Sequence, residues 1–184
     1  VPKEFVVQHR KHHEYSDTWN DPHTPRFGYW KLLGCCLVPS FFRSYKINVS
    51  NEDYSRYGVF ESDNTFMDRH PKLGVLLFLL INILLFDGYG ILMWLIHLFA
   101  VSFLTIATIT VFGHTFGYRN FNLNDDTKNV FPIGILCVGE ELHNNHHKDS
   151  RKCNMAMAKG EFDLGFFYLK ILNKFNLVQF KEKY

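Results

Sequence analysis

Three histidines, His143, His146 and His147, lie in the run Gly139–Glu140–Glu141–Leu142–His143–Asn144–Asn145–His146–His147. Positions i, i+3 and i+4 of a helix share one face, so this spacing aims three imidazoles at one place. The same H-x-x-H-H spacing recurs at His9, His12 and His13. Imidazole is the commonest metal-ligating side chain, and its neutral form suits iron, zinc, copper and nickel. The two clusters read as halves of one metal site. Neither contains cysteine or H-E-x-x-H, which argues against structural zinc and against a zinc protease.

Carboxylates close to each cluster are candidates to accept the second ring N–H of a ligating histidine and so fix its tautomer. Near the first cluster these are Asp17 and Asp21, in a polar stretch with Pro22, His23 and Pro25. Asn20–Asp21–Pro22 is equally an ordinary turn signal. Near the second cluster they are Glu140 and Glu141, whose alternative role is at a helix N-terminus, and Asn144 lies inside the cluster itself. His114 follows a long apolar run and is a seventh candidate ligand. His97 lies within that run, where a structural hydrogen bond is the preferred role.

The elements that must position these residues are set by an uneven composition. The 184-residue chain carries a formal net charge of only +2 and 19 Phe, so nothing points to nucleic acid. The mean hydropathy of −0.11 averages a polar majority with an almost wholly apolar stretch from Leu73 to Gly113. That stretch is broken only at Asp87–Gly88–Tyr89–Gly90, which predicts a helical hairpin with membrane spans at about 72–87 and 91–113. Arg69, His70 and Lys72 precede it and His114 and Arg119 follow, so the positive-inside rule puts both outer flanks in the cytoplasm. Two spans return the chain to the side it left, and the two clusters then share a face. Phe27–Tyr45 predicts an interfacial helix rich in aromatic and basic side chains, and Phe162–Phe180 an amphipathic one. Asn48–Val49–Ser50 fits a glycosylation acceptor only if that segment faces an exporting lumen. Lys148, Arg151 and Lys152 form a basic patch suited to lipid phosphates. Cys35, Cys36, Cys137 and Cys153 show no metal or disulfide pattern and suit a reducing compartment. Nitrogen-rich ligation beside a hydrophobic hairpin suits iron that activates dioxygen, acting on a hydrocarbon delivered through the apolar phase.

H-R-K-H-H followed by D-P-H, together with G-E-E-L-H-N-N-H-H, resembles the membrane fatty acid desaturases. Gly113–His114–Thr115–Phe116–Gly117–Tyr118–Arg119–Asn120–Phe121 is similar to that family's segment after its last membrane helix. The likeness covers nearly the whole chain and is nearest to bacterial acyl desaturases of the stearoyl-CoA (delta-9) type. It implies a di-iron (Fe2+) site, with His9, His12, His13, His114, His143, His146 and His147 as ligands. It further implies an acyl-CoA or acyl-lipid substrate, dioxygen, and a ferredoxin-like or cytochrome b5-like electron donor. The product is a double bond between adjacent methylenes. The implied fold is all-α: an integral membrane hairpin with a cytoplasmic histidine-rich helical cap, in a bacterial inner membrane. Nothing in the chain matches the family's first box, H-x-x-x(-x)-H, and the first residue is Val1, not Met. The expectation is a single partial domain over residues 1–184, lacking the first box and first hairpin and inactive alone. Thr110 stands where several relatives carry Asn, and Lys159–Gly160 where relatives often carry an aromatic pair before Glu161–Phe162–Asp163. A related membrane di-iron hydroxylase or ketolase, or a non-catalytic remnant, are the alternatives.

Overall fold

The computed structural model describes residues 2–22, 24–28, 49–60 and 65–180. The expected interfacial helix at Phe27–Tyr45 (beyond Gly28), the Asn48 acceptor and His23 lie outside the described residues. The chain divides into two compact units. One is Val1–Phe27 with Gly34–Phe103, and the other is Gly28–Leu33 with Leu104–Tyr184.

In the first unit, α1 spans Pro2–Tyr15. Proline is at home at a helix's first position, where no N–H is needed. Two short helices hold α1 through polar contacts: α2, Asn51–Arg56, and α3, Phe66–Arg69. Each opens with a capping box, Ser50 with Asp53 and Thr65 with Asp68, in which side chain and backbone satisfy each other's free N–H groups. Both box aspartates then serve α1. Asp68 accepts the Lys3 backbone N–H at 2.9 Å, meeting one of the donors left open at a helix start, and Asp53 pairs with Lys11 at 3.2 Å. Tyr57 donates its hydroxyl to Glu14 at 2.6 Å, and Arg56 also pairs with Glu14. Val7 is fully buried on the same helix.

The apolar hairpin forms where the sequence places it. Helix α4 covers Leu73–Phe86, the chain turns at Asp87 with φ +50°, and α5 covers Tyr89–Thr105. The helices touch closely at Gly90, where an added Cβ would lie 2.3 Å from the Asn82 carbonyl oxygen. Trp94 Nε1 donates to Val75 O at 3.1 Å, and Asn82, the buried residue of α4, donates to Phe78 O at 2.8 Å. His97 Nδ1 lies 2.9 Å from Met93 O, one turn back, and its ring meets Phe78 edge-on. Leu80, Ile81, Leu84 and Leu85 are exposed. Among the described residues no helix is long and apolar enough to cross a membrane. At ~1.5 Å per residue α4 covers roughly 21 Å and α5 roughly 26 Å, against ~30 Å of hydrocarbon. Helix α5 runs straight into a π-helix, Ile106–Phe112, and then α6, Gly113–Thr115.

In the second unit short helices are joined by long irregular stretches. Beyond α6 the chain returns on itself through an antiparallel bridge between Tyr118 and Asn129. Strand β1, Ile133–Gly134, pairs in parallel with β2, Phe162–Asp163, in the register Ile133 to Phe162 and Gly134 to Asp163. This small sheet departs from the all-α expectation, because Gly134 lets the backbones of Gly139 and Phe162 approach too closely for a side chain. Helix α7 is His143–Lys148 and α8 is Leu164–Lys174. The amphipathic helix is thus shorter than Phe162–Phe180. Asp163 caps its start by accepting the Phe166 N–H at 2.9 Å, and Asn176, at φ +56°, lies just past its end.

Candidate metal centre

In the first unit, α1 carries His9, His12 and His13 on the flank turned away from the Lys11 and Glu14 contacts. His9 and His13, one turn apart, bring their Nε2 atoms within 3.1 Å. His12 is buried, and its Nδ1 lies 2.8 Å from Asp21 Oδ1. A carboxylate only accepts, so Nδ1 of a neutral ring carries the proton and Nε2 keeps its lone pair. Asp21 is itself held: it is 1% exposed, and its Oδ2 accepts the Asp17 backbone N–H at 2.9 Å. Asp17 makes that bond from a left-handed turn at φ +60°. Of the two aspartates singled out in the sequence, Asp21 touches the imidazole and Asp17 shapes the turn that holds Asp21.

In the second unit, α6 and α7 bring four histidines together. His114 and His143, both buried, point Nε2 at Nε2 across 3.0 Å. One ring nitrogen each of His114, His143 and His147 lie within 4.8 Å of one another. The His143 and His147 rings stand 4.5 Å apart and His146 stacks 6.0 Å from His143. His147 repeats the arrangement of His12: its Nδ1 lies 3.1 Å from Asp125 Oδ2. Burial works against the Asp125 charge, but hydrogen bonds from His147 and Thr127 outweigh it and hold the carboxyl well below the usual carboxylate range. Gly113 leaves the room that the His143 ring occupies, since an added Cβ would lie 3.0 Å from its Cδ2.

The remaining sequence candidates have other partners. Glu141 is fully buried and gives its two oxygens to the backbone N–H groups of Cys137, at 2.7 Å, and Gly139, at 3.2 Å. It braces the turn that launches α7. Glu140 is pushed up to about 7 by burial, reinforced by the negative charges of Asp163 and Glu141. Asn144, fully buried, accepts the N–H groups of Asn120 and Phe121 at 3.0 and 2.9 Å and donates to Phe121 O at 3.0 Å. Beside this unit's histidines, Asp125 and Asn145 were not singled out in the sequence. Asn145 offered a signal, because it lies opposite the histidine face of a helical box. Asp125 offered none beyond standing in a polar loop.

The donor set fits a metal. Two nitrogens each ~2.1 Å from one ion lie roughly 3.0–3.4 Å apart, depending on the bond angle. The two Nε2 pairs, at 3.1 and 3.0 Å, match that spacing. The Asp–His pairs are the arrangement that orients ligating imidazoles in metal sites.

Comparison with known proteins agrees. The family model described as fatty acid desaturase matches residues 1–151. The chain is 28% identical over 187 residues to the sn-1 stearoyl-lipid 9-desaturase of Synechocystis, covering 96% of this chain and 54% of that protein. It is 25% identical over 174 residues to the Delta-9 acyl-lipid desaturase 1 of Arabidopsis thaliana, covering 93% of this chain and 55% of that one. It is also 29% identical over 193 residues to the hex-5-enoyl-[acyl-carrier protein] acetylenase of Moorena producens, covering 95% and 59%. The chain therefore spans about half the length of the curated relatives it matches. With its paired histidine boxes and the family match across most of its length, the chain belongs to the fatty acid desaturase family.

Proposed function

We propose that this chain works in an oxygen-dependent acyl desaturase and carries its second and third histidine boxes. The observation that carries the reading is the repeated carboxylate–imidazole pair, Asp21 with His12 and Asp125 with His147, one beside each box. The proposed ligands are His9, His12, His13, His114, His143, His146 and His147, and the proposed metal is a pair of irons. When bound, iron would supply the activation of dioxygen that removes two hydrogens from adjacent methylenes of an acyl chain. Two electrons from a ferredoxin-like or cytochrome b5-like donor and two protons from water complete the balance, and dioxygen leaves as two water molecules. Asp21 and Asp125 each hold an Nδ1 proton, which keeps Nε2 directed at the metal and raises its basicity. Asp17, Glu141 and Asn144 hold the turns on which those imidazoles ride.

The substrate class is an acyl group delivered as a lipid or thioester, as the names of the relatives indicate for those proteins. We assign the Leu73–Phe86 and Tyr89–Phe112 helices to a membrane hairpin. Support comes from α4, which buries Asn82 and exposes Leu80, Ile81, Leu84 and Leu85. The π-helix prolongs α5 beyond its 17 residues. On this reading both boxes face the cytoplasm.

The test is a fatty-acid profile with iron analysis of membranes from a desaturase-deficient host. The chain is expressed alone, and together with the N-terminal part of the Synechocystis relative. A new monounsaturated acyl group, lost in His12→Ala, His143→Ala and His146→Ala while the protein stays in the membrane, is the expected result. A hydroxylated product would transfer the chain to a different reaction. An unchanged profile in both arrangements, with the protein present, would refute the assignment.

A further inference from the structure

Helix α7 has only six residues, and its N-cap, Leu142, makes no side-chain capping bond. Helices this short do not hold themselves in water, so neighbouring groups must set its position. At 3.6 residues per turn, Asn145 lies about 160° around the helix from both His143 and His147. Whatever holds Asn145 therefore holds the back of the helix whose front carries the imidazoles.

Asn145 is fully buried and every polar atom of it is engaged. Its N–H donates to Asn129 Oδ1 at 3.1 Å, and its Oδ1 accepts from Asn120 and Asn129 at 2.9 and 3.0 Å. Its Nδ2 donates to Met155 O at 2.8 Å and to Glu161 Oε2 at 2.7 Å. Glu161 is the centre on which these groups converge. Its Oε1 accepts from the Tyr118 hydroxyl and from Asn120 Nδ2, each at 2.6 Å, and more distantly from Asn129. Its Oε2 also accepts the backbone N–H groups of Met157 and Ala158 at 2.9 and 2.8 Å. The two backbone bonds fix the carboxylate in its own loop, and the side-chain bonds carry that fixity to α7 and to the Tyr118–Asn129 bridge. Burial alone would raise the Glu161 carboxyl, yet the bonds from Tyr118, Ala158, Asn120 and Met157 bring it below its ordinary value. The charged form is the one this nest of donors suits.

We propose that Glu161 is the positioning residue of the histidine box on α7: its carboxylate sets the rotation of α7 and so the direction of His143, His146 and His147. The proposal rests on the metal-centre reading above and adds to it a residue outside every histidine motif. The geometry makes the requirement strict. Side-chain tips lie roughly 5–6 Å from a helix axis, so a 10° rotation moves an imidazole by about 1 Å. A functional constellation tolerates about 0.5 Å.

The test uses cobalt(II) titration of the protein purified in detergent, read by its visible ligand-field bands, with His143→Ala as the control. Glu161→Ala is expected to weaken cobalt binding about 10- to 100-fold, as loss of an orienting partner does. It is also expected to change the bands at saturating metal. Glu161→Gln should fall between that variant and wild type, and Tyr118→Phe, which removes one donor, should stay close to wild type. A residue that only stabilised the fold would lower the melting temperature and leave the saturated spectrum unchanged. If Glu161→Ala does not fold by circular dichroism, Glu161→Gln decides. Wild-type affinity and bands in the folded Glu161 variants, with binding lost in His143→Ala, overturn this proposal alone. Equal, negligible cobalt binding by wild type and His143→Ala overturns the metal-centre reading and this proposal with it.

Discussion

Gly113→Ala is the smallest change that presses on the proposed metal centre without touching a ligand. Gly113 is buried at the start of α6, and its φ is not positive, so the backbone itself accepts alanine. The new Cβ would lie 3.0 Å from His143 Cδ2, 3.2 Å from Cγ and 3.3 Å from Cβ. Carbon atoms in contact settle near 3.5–4.0 Å, so the ring must retreat by roughly 0.5 Å or more. It has little room to do so, because His143 is 1% exposed and packed against the rings of His114 and His147 at 4.9 and 4.5 Å. Overpacking of this kind costs about 1–3 kcal/mol, offset by roughly 0.5–1 kcal/mol from replacing a helical glycine. Global stability should therefore fall by only about 1–2 kcal/mol. Metal binding should suffer more, since ligand distances must hold within ~0.2 Å. We expect at least a tenfold loss of affinity in a cobalt(II) or anaerobic iron(II) titration, with the helical circular dichroism retained. Unchanged affinity in a folded Gly113→Ala protein would refute the claim that Gly113 makes room for a ligating imidazole.

Asp125→Asn should weaken metal binding about 10- to 100-fold, because an amide can present its NH2 to His147 and turn the wrong tautomer toward the metal; a chelator-competition assay measures it. Glu140 makes stability depend on pH. Its folded-state value of about 7 lies above the ordinary 4.5, so its contribution is complete below 4.5 and is lost as pH rises through 7. The melting temperature should therefore decline between pH 5 and 8, and Glu140→Gln should flatten that decline; an equal slope in both proteins would count against the assignment. Gly90→Val should part the hairpin, since even a Cβ would meet the Asn82 carbonyl at 2.3 Å. Thermal unfolding followed by circular dichroism should begin at a clearly lower temperature in that variant than in wild type, and an unchanged transition would count against the contact.

What was legible in the sequence followed from range. The histidines of each box stand at i, i+3 and i+4, so one turn of helix brings them together and periodicity alone reveals that shared face. Asp21 is nine residues from His12, within reach of the same turn, and could be named from proximity. The hairpin was legible for the same reason, its apolar runs being continuous and its turn marked by Asp87–Gly88. The small β1–β2 pair was not, because two residues on each side carry no period, and what joins them is the glycine at 134 rather than a strand pattern. Asp125 lies 22 residues from His147, and Glu161 lies 16 from Asn145 and 41 from Asn120. Contacts at such separations depend on how loops return, and no local spacing encodes that.

This difference in range follows a division of labour on one short helix. The histidines of α7 face forward, and a row of imidazoles aimed at one point is costly to hold unless something fixes the helix from behind. The asparagines between them do so. Asn144 ties the helix to the loop at Asn120, Phe121 and Thr127, and Asn145 ties it to Glu161. Primary amides suit this task because each offers two donors and a two-lone-pair acceptor without charge. A carboxylate at position 145 would repel Glu161, and an apolar residue would leave the buried Asn129, together with Asn120 and Glu161, without that partner. The box is thus built from two interleaved sets, one facing the proposed metal and one facing the scaffold. The second set is the less visible in sequence because its partners are distant.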